Sequence, residues 1–113
     1  RKARQTNPDV DIAVVDDGGH LLALQRLDGA APISAYIATE KARTAALGRR
    51  ESGAYEKMIN EGRHSFLSAP VVQALLEGGA PIEVQGQVVG AVGASGVKSS
   101  EDLQIVKAGI AAL

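Results

Sequence analysis

Cysteine and tryptophan are absent from this chain of 113 residues, and aromatics are reduced to Tyr36, Tyr55 and Phe66. Without cysteine there is no disulfide framework, no thiolate metal site and no C-x-x-C-H haem attachment, and the redox compartment stays open. With so few rings, the core must be built from Ala, Val, Leu and Ile. Thirteen glycines imply close backbone contacts rather than bulky interlocking side chains. An excess of charge is also lacking. At a net charge of −1 no basic field exists to attract a phosphate backbone, so nucleic acid is not an expected partner. No apolar run approaches the ~20 residues of a membrane span, and no signal peptide is visible. A membrane is therefore not an expected partner either, and a cytoplasmic location is expected. Secretion stays open, because the chain begins at Arg1 rather than Met and an N-terminal piece is expected to be missing.

What is present fits one domain over residues 1–113, since domains cluster at about 100–150 residues. Residues 1–6 read as the end of a helix closed by Asn7-Pro8. Val10–Val15 has the β-branched density of a buried strand. Asp16-Asp17-Gly18-Gly19 supplies residues that tolerate φ > 0, a hairpin signal, and His20–Leu27 continues as a strand. Strict alternation puts Leu21, Ala23, Gln25 and Leu27 on one face and His20, Leu22, Leu24 and Arg26 on the other. Both faces carry apolar residues, so both are expected to be covered, by helices or by another subunit. A helix is predicted from Pro32 to Leu47 with Gly48 as its stop, and a second over Ser52–Asn60. Residues 61–70 read as a loop, and periodicity cannot assign the apolar run Val71–Leu76. Pro81–Val84 and Gln87–Ala94 form a second hairpin about Gln85-Gly86. A last helix runs from Ser99 to Leu113, capped by Ser99 or Ser100. Hairpin, helices, hairpin, helix is an α+β pattern with an antiparallel sheet flanked by helices.

Four residues stand out as candidates for a ligand site. His20, fixed just beyond the glycine turn, carries an imidazole that can ligate a metal or move a proton. Its bland alternative is a histidine that hydrogen-bonds the turn and only shapes the hairpin. Lys41 can hold a carboxylate or phosphate as a point charge, with the Thr44 hydroxyl as a nearby second donor. The alternative has Lys41 snorkelling to solvent and Thr44 bonding its own helix. Arg26 offers a fork suited to carboxylates, or a plain surface pair with an acid. Arg43 points away from Lys41 and reads as an outer-face partner of Glu40. His64 lies in a polar loop and reads as a surface residue. Two histidines without cysteine cannot complete a closed structural zinc site unless carboxylates such as Glu51 or Glu56 join, whereas an axial haem ligand needs only one.

Two apparent motifs carry less. Gly90, Gly93 and Gly96 follow a G-x-x-G-x-x-G spacing, not that of a nucleotide loop, and the next helix opens with Glu101 and Asp102, which would repel a pyrophosphate. Those glycines read as close packing across the sheet, or as room for a flat ligand. Ser95-Gly-Val-Lys98 matches S-x-x-K by chance, with no companion motif.

Taken in order, Ala13-Val-Val-Asp-Asp-Gly-Gly-His-Leu-Leu22, Arg26-Leu-Asp-Gly29, Glu40-Lys-Ala-Arg-Thr-Ala-Ala46, Gly78-Gly-Ala-Pro-Ile82 and Gln87-Val-Val-Gly-Ala-Val-Gly-Ala-Ser-Gly96 resemble the GlcG/HbpS-like family, which includes the C-terminal domain of PduO-type proteins. The resemblance implies a profilin-like arrangement, assembly into homo-oligomers and a small-molecule ligand, haem in at least some members. Carried over, His20 becomes a possible iron ligand, with Lys41 and Thr44 facing the same pocket and Arg26 joining Lys41 on the propionates. Two departures are visible. Most of the family's first helix is missing. Where some haem- and iron-binding members carry an acid-x-x-acid pair before the helix lysine, this chain has Tyr36 and Thr39. Two functions follow from this reading. One is a binding protein for haem or a related tetrapyrrole. The other is an enzyme or accessory protein acting on a small organic acid in the same pocket, with His20 as acid or base.

Overall fold

The computed structural model describes residues 10–27, 29–96 and 99–111. The expectations for residues 1–8, for Asp28 and for Lys98 lie outside that set, as do the side chains of Ser99 and Ser100. Strands β1 (Asp11–Asp16) and β2 (Leu21–Arg26) form the first hairpin, and β3 (Gly79–Val84) and β4 (Gln87–Ser95) the second. They join into one antiparallel sheet of order β2-β1-β4-β3. Helices α1 (Pro32–Gly48), α2 (Gly53–Asn60) and α3 (Ser99–Ala111) complete the α+β fold, with a 3-10 turn at His64–Ser68. Residues 71–76 are irregular, and Val71 and Ala74 adopt positive φ of 69° and 50°.

The two-residue period of β1 and β4 sorts their side chains between two covers. Ala13, Val15 and Ala91 pack against Ala38, Ala42, Ala45 and Ala46 of α1. Ile12, Val14, Val92 and Ala94 pack with Val106, Leu103, Ile105 and Ile110 of α3. The alanine stripe brings α1 unusually close to the sheet. A Cβ on Gly93 would collide with the backbone of Ala38 and Ala42, and one on Gly79 with the carbonyl of Lys41. The glycines of β4 and β3 therefore serve close packing, as expected.

Two features depart from the sequence reading. Gly48 does not end α1 by a left-handed turn; Arg49 takes that conformation, at φ 57°. Gly48 is instead needed for packing, because a Cβ there would strike the Tyr55 ring, itself stacked on Phe66 at 4.9 Å. Strict alternation fails in β2. Val14 pairs with Ala23 but Val15 pairs with Leu21, so Leu22 is an extra, bulged residue. A bulge re-aims the side chains beyond it, and Leu21 consequently shares a concavity with Leu24 and Arg26. Besides these, β2 is an edge strand on which Leu21, Leu22 and Leu24 are exposed. Among the described residues these leucines are not covered, which leaves another subunit as their expected cover.

Candidate ligand site

The Asp16–Gly19 turn is built around the Asp16 carboxylate. Its Oδ1 accepts hydrogen bonds from the amides of Gly18 and His20, both at 2.9 Å, while Gly19 closes the turn at φ 82°. The same carboxylate accepts from His20 Nδ1 at 3.1 and 3.2 Å. The His20 amide, above all, holds the Asp16 carboxyl below the usual range, helped by the Gly18 amide and the imidazole. An ionised carboxylate can only accept, so Nδ1 carries the proton and a neutral His20 keeps its lone pair on Nε2. That nitrogen has no partner among the described residues. The ring is 81% exposed, and Gly18 leaves it room, since a Cβ there would come within 3.0 Å of it. A carboxylate behind Nδ1 and a free Nε2 in front is the arrangement that orients metal-ligating histidines.

Arg26 stands elsewhere, on β2. It lines a concavity of about 400 Å³ between β2 and α1, with Leu21, Leu24, Pro32, Ala35 and Tyr36. Lys41 and Thr44 point into the protein and do not meet His20. Lys41 is 2% exposed; its Nζ donates to the Ala94 carbonyl at 3.1 Å and pairs with Asp102 at 3.0 Å. Thr44 donates to the Gln73 carbonyl at 2.8 Å, pinning the irregular segment to α1. His64 is exposed at the start of the 3-10 turn. Arg43 holds Glu40 at 3.2 Å as expected, and its stem also lies beneath Gly19. Sequence reasoning did not find Arg43 beside the turn, nor Tyr36 beside Arg26. The second depends on how α1 crosses β2, which no residue type announces. Among the described residues no group of three His, Asp or Glu side chains could hold a metal ion.

Asp11 is a further feature hidden from the sequence. It is wholly buried, and neither carboxylate oxygen has a hydrogen-bond partner among the described residues. Burial raises its pKa. The Leu27 amide, outside hydrogen-bond geometry, and the charge of Arg26, 4.0 Å away, lower it only in part. A raised folded pKa means the native state binds the proton more tightly than the unfolded chain. Stability due to Asp11 thus falls as pH rises from the unfolded value through the folded one, and the cost is complete only above the folded value. Asp11→Asn is expected to stabilise the protein by about 1 kcal/mol where Asp11 is ionised and to gain nothing once it is protonated. Urea melts at neutral and acid pH check this; an equal gain at both would assign the effect to something other than the charge.

A four-stranded antiparallel sheet between helices, presenting a carboxylate-held histidine on a glycine turn, places the chain in a recognisable class. The family described as haem degrading protein HbpS-like matches residues 1–111, and the chain belongs to it. Protein GlcG of Escherichia coli strain K12 is 61% identical over 94 residues, 83% of this chain and 69% of GlcG. Among solved structures, a double mutant of Streptomyces reticuli HbpS superposes with a TM-score of 0.88 at 32% identity, covering 99% of this chain and 76% of that one. A complex of PduOC with haem superposes with a TM-score of 0.85 at 26% identity, covering 99% and 83%. No helix among the described residues is long and apolar enough to cross a membrane.

Proposed function

We propose that this protein binds haem or a related tetrapyrrole, with His20 as the axial ligand through Nε2. The observation that carries the reading is the Asp16–His20 geometry: the proton fixed on Nδ1 at 3.1 Å and the opposite nitrogen free and exposed. Membership in the HbpS-like family and the haem complex of PduOC support it. Exposed Leu21 and Leu22, next in the chain, offer apolar surface to a macrocycle. Bound there, the iron would supply the redox and ligand-binding chemistry, and the protein its orientation. Arg26, half exposed on β2, would offer its guanidinium to a propionate. Lys41 and Thr44 are turned inward, onto Asp102 and the Gln73 carbonyl, and take no direct part in this reading.

Titrating haem into the purified protein while recording the Soret band tests this. His20→Ala is expected to change the band and to weaken binding at least about tenfold; Asp16→Asn, which frees the ring, is expected to weaken it by about 10–100-fold. Identical titrations for His20→Ala and the unaltered protein would remove His20 from the role.

We also infer assembly into homo-oligomers, because an edge strand bearing three exposed leucines is a surface that calls for cover. Light scattering on the same samples reads the mass. The second reading, action on a small organic acid, draws on the concavity at Arg26.

A further inference from the structure

The concavity between β2 and α1 has an uneven distribution of polar groups. Its walls at Leu21, Leu24, Pro32 and Ala35 are apolar. Two of its polar side chains are already engaged: Thr39 donates to the Ala35 carbonyl at 2.9 Å, and Glu40 is held by Arg43 at 3.2 Å. Two remain available, the guanidinium of Arg26 and the hydroxyl of exposed Tyr36. Asp11 lies on the inner side of Arg26. Its wholly buried carboxylate, without a hydrogen bond of its own among the described residues, comes within 4.0 Å of Nε. Nε faces that acid as an ion-pair partner at 4.0 Å, without a hydrogen bond. The terminal nitrogens have no partner among the described residues, and the side chain is 53% exposed. A planar fork with one edge turned to a buried acid and the other open matches the geometry of a carboxylate.

We propose that this concavity is a carboxylate-binding site, in which Arg26 takes the carboxylate, Tyr36 donates a second hydrogen bond, and the leucine, proline and alanine walls hold a short apolar chain. The carboxylate belongs either to a free monocarboxylic acid or to the propionate arm of a larger ligand; the recognition chemistry is the same. This inference deepens the organic-acid reading and stands independently of His20.

The test uses the haem-free protein and sodium butyrate as probe, at constant ionic strength against chloride, followed through the Arg Nε–Hε resonances. Butyrate is expected to shift the Arg26 resonance saturably at millimolar concentration, and neutral butyramide is expected to leave it still. Arg26→Gln should lose at least about tenfold in affinity, read from the remaining resonances of the concavity. Arg26→Lys, which keeps the charge without the fork, should lose most of it too. Ala35→Leu fills the concavity from the α1 side and should abolish binding with Arg26 intact, which keeps the test open if Arg26 variants fold poorly. Asp11→Asn should move the Arg26 Nε resonance before any ligand is added, the signature of its hold on the guanidinium.

Repeating the haem titration with butyrate present then separates the two sources. Weaker haem binding assigns the seat to a propionate, and unchanged haem binding assigns it to a free acid. Butyrate shifts that match those of chloride, or that persist in Arg26→Gln and Ala35→Leu, overturn the proposal whatever haem does.

Discussion

Lys41→Met is expected to lower the free energy of unfolding by about 3–5 kcal/mol, the cost of removing one partner of a buried ion pair. The pair joins two layers of the fold: Lys41 rises from α1 and Asp102 stands in the first turn of α3, on the other side of the sheet. Both side chains are almost wholly buried, at 2% and 1% exposure, so water cannot replace the lost ammonium. Gly78 makes the passage possible, because a Cβ there would come within 2.9 Å of the lysine stem. Methionine keeps most of that stem, so the loss reports the ammonium and its bonds to Asp102 and the Ala94 carbonyl rather than a cavity. Urea denaturation measures the difference, and an Asp102→Asn arm completes a double-mutant cycle. A loss below about 1 kcal/mol, the range of exposed pairs, would mean the pair is hydrated in solution.

The second large effect is expected at Gly93. Gly93→Ala should destabilise the protein by about 3 kcal/mol or more, at or beyond the upper end of overpacking. The added methyl meets the Ala38 carbonyl and, at 2.6 Å, the Ala42 amide nitrogen. Both are backbone atoms, so no rotamer change relieves the contact and the whole helix must lift from the sheet. Gly109→Ala is the matched control. That glycine lies within α3 with nothing within 4 Å of its would-be Cβ, so alanine there should stabilise by about 0.5–1 kcal/mol through helix propensity. Thermal melts of the two variants should move in opposite directions. A mild or positive shift for Gly93→Ala would show that α1 sits further from the sheet than the structure places it.

Much of this architecture was legible because local chemistry and global packing agree. Asp16-Asp17-Gly18-Gly19 and Gly86 are turn residues by backbone preference, and both turns form, with Gln85 drawn to φ 53° beside Gly86 at 79°. The alanine period of α1 fixed which face meets the sheet. The family, too, was readable in whole motifs, and residues 1–111 bear it out. The illegible parts are decided by contacts distant in sequence. The bulge at Leu22 is a matter of register between strands, and Val71 adopts a left-handed conformation that a β-branched residue does not choose by itself. Lys41 shows the limit most clearly. Spacing placed it on one stripe with Thr44, but spacing cannot tell whether an ammonium at that position reaches outward to a ligand or inward to an acid 61 residues away.

The intimate seating of α1 has one last consequence. Where Gly79 and Gly93 let helix and sheet backbones nearly touch, a planar molecule cannot slip between the layers. Any guest is confined to the periphery, on side chains such as Leu22, Tyr36 and His20 that contribute little to cohesion. Affinity for a guest and resistance to melting therefore draw largely on different residues, and they meet where buried Asp11 stands behind Arg26.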